Sequence, residues 1–242
     1  MGSERALDES TEESMDELPG KTEQLFKTVT ETEVMPVAHS PFPASLFSDN
    51  ESVAIAGPPM SGKYELLHRL LGEAGEDGAI VVSTGHIVDR VREDYGTFTD
   101  ADPDGLSVID CVSKEQDQSI TDTRHDKFVN SPKNLTELGI KLTELIEDRR
   151  GESIAVGVHS LSQLLMYWEA DRIYQFTRVF LGQTRNEGWF TAAVIGSTMH
   201  DERTLHTLLD PFDAIVDTRV DDDGRAFRIR DRTAGPGEWN AF

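Results

Sequence analysis

Apolar residues along this chain occur in two textures. Short unbroken runs rich in β-branched residues cover residues 52–57 ("SVAIAG"), 79–84, 106–112, 153–158 and 191–197. Their lack of alternation predicts strands covered on both faces, as in a parallel sheet. Between them, apolar positions recur every three or four residues and predict helices near residues 63–74, 86–95, 134–149, 161–186 and 201–209. In "KYELLHRLLGEAG" the stripe is Leu66, Leu67, Leu70 and Leu71, and a glycine stops it. "LLMYWEADRIYQFTRVF" reads as part of one long helix, with Met166, Tyr167, Trp168, Ile173 and Phe176 serving core and helix packing rather than base stacking. The last run, "DAIVDTRVDDDGRAFRIRD", is a hairpin turning at "DDDG", a solvated turn far shorter than a calcium-binding EF-hand loop. The outline is α/β: a mostly parallel central sheet with flanking helices, closing in a C-terminal antiparallel hairpin. No internal repeat is visible.

Residues 1–45 are a different material. "MGSERALDESTEESMDELPGKTEQ" is acidic, Ser/Thr-rich and sparse in hydrophobics, so it cannot offset the entropy of ordering and reads as a disordered tail. The alternative is a partner-docking tail with a short helix around "TEQLFKTV"; "HSPFPASLFSDN" then reads as an extended approach to the first strand. Residues 46–242 are long enough for one α/β domain with a sizeable core.

Charge narrows the partners. A formal net charge of −22 repels nucleic-acid backbones and anionic membranes, so neither is expected as the main partner. It fits a cytoplasm with molar salt, where the screening length is about 3 Å. The lone Cys111 lies inside an apolar run and reads as a buried residue of a reducing compartment. Asp110 beside it is a weak candidate for a catalytic acid, because it too sits within the run. No secretory signal and no apolar run of about 20 residues is visible, so a cytoplasmic location is expected.

Candidate chemistry begins at "GPPMSGKY". In the pattern G-x-x-x-x-G-K-[ST], backbone N–H groups converge on phosphates, Lys reaches the outer phosphates and the final hydroxyl ligates magnesium. Gly57, Gly62 and Lys63 are in register, and the donors run through Met60, Ser61 and Gly62 to Tyr64. Pro58 and Pro59 lack N–H groups but precede those donors. Tyr64 stands where the hydroxyl belongs, and a phenol extends too far from the backbone to sit on a metal between two phosphates. ATP or ADP is the expected cofactor; magnesium has lost its ligand. The bland alternative is a glycine-rich turn between strand and helix with a solvated Lys63.

The order of these signals resembles the RecA-type P-loop ATPases, and within them the KaiC-like and RadA-like branch, from about Ser52 to Trp239. "NSPKNLTELGIKLTELIEDR" resembles the family's helix before a strand that ends in Asp and continues Ser-Leu; here "IAVGVHSLSQLL" matches that strand with His159, then Ser160. "FRIRDRTAG" resembles the terminal strand, whose basic pair, here Arg230 and Arg232, reaches a neighbouring subunit's nucleotide. The resemblance implies a RecA-like P-loop fold, nucleotide binding, and a homo-oligomer or protein partner. It also locates the departures. The family's water-polarising Glu falls in "IVVSTGHIVD", where Gly85 and His86 stand, and its metal-holding Asp is His159, a poor ligand for a hard cation. Phosphoryl transfer rests on positioning and charge neutralisation, so these losses predict little or no hydrolysis.

His86, His159 and His200 would each follow the carboxyl end of a strand, where open α/β sheets bind ligands. Their readings are a crevice lining, phosphate or partner contacts, or a transition-metal site; no ligand spacing supports the last. Two functions compete: a nucleotide-responsive regulatory protein with little turnover, and an interaction module that binds no nucleotide. An ATPase using substitute residues is a third.

Overall fold

The computed structural model describes residues 41–48, 51–231 and 235–242. The expected acidic tail, with its "TEQLFKTV" segment, and Arg232 lie outside the described residues, apart from the tail's last few positions. Phe42 and Leu46 belong to the core, 6% and 1% exposed. The approach expected as extended contains one helical turn, α1 (Ser45–Ser48).

The elements then alternate: β1 (Ser52–Gly57), α2 (Lys63–Ala74), β2 (Gly78–Ser83), α3 (Val88–Phe98), β3 (Leu106–Asp110), α4 (Ser113–Gln116), β4 (Asp126–Phe128), α5 (Leu135–Asp148), β5 (Ile154–Val158), α6 (Leu161–Leu164), α7 (Ala170–Asn186), β6 (Phe190–Gly196), α8 (Glu202–Leu209), β7 (Ala214–Asp221), β8 (Gly224–Asp231), β9 (Gly235–Pro236) and β10 (Asn240–Ala241). One sheet contains all ten strands in the order β10-β8-β7-β1-β6-β5-β2-β3-β4, with β9 also on β8. From β7 to β4 the pairing is parallel, and β7–β8 is the antiparallel hairpin expected from "DDDG".

The unbroken apolar runs have their physical reason here, because the sheet is covered on both faces. Along β1, Val53 and Ile55 face one core layer with Leu66, Leu67, Leu70 and Leu71 of α2. Ala54 and Ala56 face the other, with Leu138, Leu142 and Leu145 of α5 and Phe180 of α7. Each strand thus buries both sets of side chains, which excludes any polar position between its ends.

Three expectations are corrected. The helix expected over residues 161–186 is two: Ser160 caps the short α6 by accepting from Gln163 N at 3.2 Å, and the chain is extended at Glu169 before α7. Met166 and Tyr167 fall in the break and are 71% and 41% exposed, not core; Trp168 is partly buried, and Ile173 and Phe176 pack as expected. The helix expected at 86–95 starts later, because Asp110 accepts from Val88 N at 3.0 Å and anchors its first turn. β4 escaped notice because its three residues, "DKF", carry no apolar run; it pairs at the sheet edge through Val108 to Asp110. Cys111 is fully buried, as expected. Asp110 is too, with its carboxylate accepting from Val88, Val112 and Ser113 N–H and the Ser113 hydroxyl. That is an anchor for three backbone segments, and it leaves no oxygen for catalysis.

Candidate functional site

The carboxyl ends of β1, β2, β5 and β6 form one crevice. At its centre the turn from β1 into α2 is held by close packing. A methyl at Gly57 would lie 1.9 Å from Thr218 Oγ1 and 2.8 Å from the Thr218 carbonyl, so only glycine fits. Met60 (φ 62°) and Gly62 (φ 80°) are left-handed, curling the loop back to the helix start. The buried Ser61 hydroxyl donates to Pro58 O at 2.8 Å and lies 2.6 Å from Thr218 Oγ1 on β7. Its side chain braces the loop from inside.

What the loop exposes is its backbone. Among the described residues, no acceptor is bonded to the N–H groups of Met60, Ser61, Gly62, Lys63 or Tyr64. Lys63 Nζ donates to the Pro58 carbonyl and reaches Ser61 Oγ at 3.5 Å. Burial pulls its pKa below the ordinary lysine value. Five converging amides at a helix N-terminus with an ammonium beside them form an anion site. The side chain of Phe242 closes one flank, since a methyl at Gly62 would lie 2.6 Å from its ring. Arg225 on the same flank pairs with Glu65 at 3.1 Å.

Tyr64 takes the other direction. Its ring centroid lies 4.5 Å from His68, 5.0 Å from His86, 5.0 Å from His159 and 6.3 Å from Phe98. His86 and His159 are themselves 4.7 Å apart. Burial, then the Asp94 carboxylate, pushes the Tyr64 phenol far above its ordinary value; Asp94 is buried and paired with Arg90 at 2.8 Å. His68 is pulled down to about 3 by burial and by His159 and His86, and His159 to about 4 by burial and His86. Both are neutral at pH 7. Neither ring nitrogen of His68 has a partner, nor has His86 Nδ1. A neutral, aromatic enclosure of this kind offers a magnesium ion no carboxylate and no hydroxyl. The residues fit a phosphate group at the loop and do not fit a metal beside it.

The remaining expected residues separate. Gly85 packs tightly, a methyl there lying 2.9 Å from Gln163 Nε2 and 3.2 Å from His159 Cε1. Ser160 is spent as the α6 cap. His200 does not join the other two histidines: its Nε2 is 2.9 Å from Ser162 Oγ, which accepts from Gly196 N at 2.8 Å. Among the described residues no three His, Cys, Asp or Glu side chains converge to hold a metal. Arg230 lies on β8, where Asp217 takes it at 3.0 Å and Arg228 at 3.1 Å.

Sequence reading missed His68, Asp94, Phe98, Thr218 and Phe242. For His68 a signal existed: it sits four residues after Tyr64, inside the apolar stripe of α2, a polar residue where none is expected. The others come from distant segments and carried no signal.

The fold is that of RecA-like ATPase domains: the parallel sheet, flanking helices and antiparallel end match the solved ATPase domain of a RecA-type helicase at TM-score 0.50 and 13% identity, over 78% of this chain and 79% of that one. The uncharacterized protein PH0321 from Pyrococcus horikoshii, solved with an unknown peptide, matches at TM-score 0.53 and 12% identity, over 76% and 84%. The chain belongs to DUF7504, a family of unknown function, whose pattern matches residues 51–218. No curated protein matches it. No helix among the described residues is long and apolar enough to cross a membrane.

Proposed function

We propose that this chain is a nucleotide-binding regulatory protein of the KaiC-like and RadA-like type that holds ATP or ADP through its loop and hydrolyses it little or not at all. The observation that carries this reading is the division within α2: residues up to Lys63 keep a complete set of phosphate donors, while Tyr64 turns its ring into a cluster of neutral histidines. Phosphate is then bound by backbone dipoles and one ammonium, without a bridging metal. Hydrolysis lacks a magnesium hydroxyl, a metal-holding carboxylate and a water-orienting carboxylate, which act as a unit in such sites. A formal charge of −22 suits work in molar salt in the cytoplasm, with a protein partner or a second copy as the recipient of the signal. Arg230 and Arg232 reach a neighbouring subunit's phosphates in this reading, Arg230 exchanging Asp217 for the anion.

Calorimetry with ATP and ADP in molar potassium chloride tests it. Binding should be lost in Lys63→Ala and little changed by a chelator, with phosphate release near background. No heat at millimolar nucleotide would leave the fold as an interaction module. Magnesium-dependent turnover of about 1 per second or more, abolished by Lys63→Ala, would show an ATPase that uses substitute residues.

A further inference from the structure

Away from the crevice, α5 and α7 enclose an apolar groove of about 540 Å³, floored by Leu142, Phe176 and Phe180. A methyl at Gly139 would lie 4.0 Å from Phe176, and Gln183 donates to Thr143 Oγ1 at 3.1 Å. These contacts advance in the same sense along both helices, so α5 and α7 run parallel. Ile140 and Val179 on the banks are 53% and 65% exposed. Arg172 lies at one end and Glu147 at the other, about 18 Å away by helical rise. Neither has an ion-pair partner among the described residues, whereas Glu144 is taken by Lys141 at 3.1 Å.

We propose that this groove receives the same face of a second copy of the chain, in a two-fold interface. A two-fold axis normal to the groove reverses its direction in the partner, so each Arg172 end meets a Glu147 end, twice. The same operation carries each bank, Ile140 and Val179, toward the bare backbone at Gly139 and Gly182; a methyl at Gly182 would meet nothing within 4 Å. Self-complementarity is the argument for a copy over a foreign partner. A groove cationic at one end and anionic at the other fits its own reverse, whereas an acidic or basic ligand would meet one repelling end. The face is also sparse in charge for a chain carrying −22, which keeps the repulsion between copies low where they approach.

The proposal is independent of nucleotide, so nucleotide-free protein tests it. Sedimentation equilibrium in molar potassium chloride should show a dimer for wild type and for Lys63→Ala. Val179→Asp should give a monomer, and Arg172→Glu and Glu147→Arg should each weaken association about tenfold. The double reversal should regain it, because the two ends exchange roles. All three side chains are exposed, and unchanged melting would confirm that each variant folds. A wild type that stays monomeric at its highest soluble concentration, forms a larger ring, or dimerises regardless of Val179→Asp would overturn the proposal. Single reversals without recovery in the double would overturn the two-fold arrangement.

Discussion

On the β1 side of the crevice, the loop from Gly57 into the start of α2 leaves five consecutive N–H groups without an acceptor and keeps an ammonium beside them. On the β2 and β5 side, Tyr64, His86 and His159 turn their polar rings on one another, and His68 is buried with both nitrogens unpartnered. The first arrangement keeps polar capacity for something outside the chain. The second gives up polar capacity within it, at a cost in desolvation. One helical position separates them, Lys63 from Tyr64. Binding and chemistry in such a crevice are therefore separable, because phosphate is held mainly by backbone geometry and metal only by side chains.

The comparison breaks most visibly at Gly57. A methyl there meets Thr218 side chain and backbone at 1.9 and 2.8 Å, so Gly57→Ala should destabilise the fold by about 3 kcal/mol or more, read as a lowered denaturation midpoint. An unchanged midpoint would mean that the loop is not braced by β7. Lys63→Ala comes next: it should leave melting nearly unchanged and cost about 3 kcal/mol of nucleotide affinity, which calorimetry would register as disappearance of the binding isotherm.

Tyr64→Thr probes the boundary itself. Removing a ring in contact with three imidazoles should cost about 2–3 kcal/mol of stability through the cavity left behind. In exchange, the hydroxyl should make nucleotide affinity sensitive to magnesium. Restoring a carboxylate at Gly85 is not expected to help, since even a methyl is crowded by Gln163 and His159 there.

The smallest effect is a pH slope. His68 and His159 have folded values of about 3 and 4, below the ordinary 6.5. Between pH 6.5 and about 4 the unfolded chain therefore takes up protons that the folded chain refuses. Stability is fully present above pH 6.5 and falls as the pH is lowered, by about 1 kcal/mol per pH unit for each histidine. His68→Phe should shallow that slope and stabilise by about 1 kcal/mol at pH 7, because it removes two buried unpartnered nitrogens. A steeper slope or a loss of stability in this variant would mean that His68 has a polar partner.

Much of the fold was legible because a sheet covered on both faces leaves a one-dimensional trace: strands without polar gaps, helices with apolar stripes. The break between α6 and α7 was not, since a polar N-cap at Ser160 and exposed Met166 and Tyr167 leave the helical spacing intact through "LLMYWEADRIYQF". β4 was invisible for the opposite reason, an edge strand of three residues with little to bury. In the site, Gly57, Gly62 and Lys63 were readable at fixed spacing, and Tyr64 declared itself by standing out of pattern.

The sequence by itself determined the strand–loop–helix unit, the hairpin and the substitution at Tyr64, because each rests on neighbours within a few residues. Only the tertiary structure decided that Thr218 braces the loop, that Phe242 lies against Gly62, that Asp217 holds Arg228 and Arg230, and that His68 rather than His200 completes the ring cluster. The physical reason is that a parallel sheet brings together strand ends far apart in the chain: β7 beside β1, β5 beside β2. Which side chains meet there depends on register and on the direction each one takes, and neither is written in local spacing.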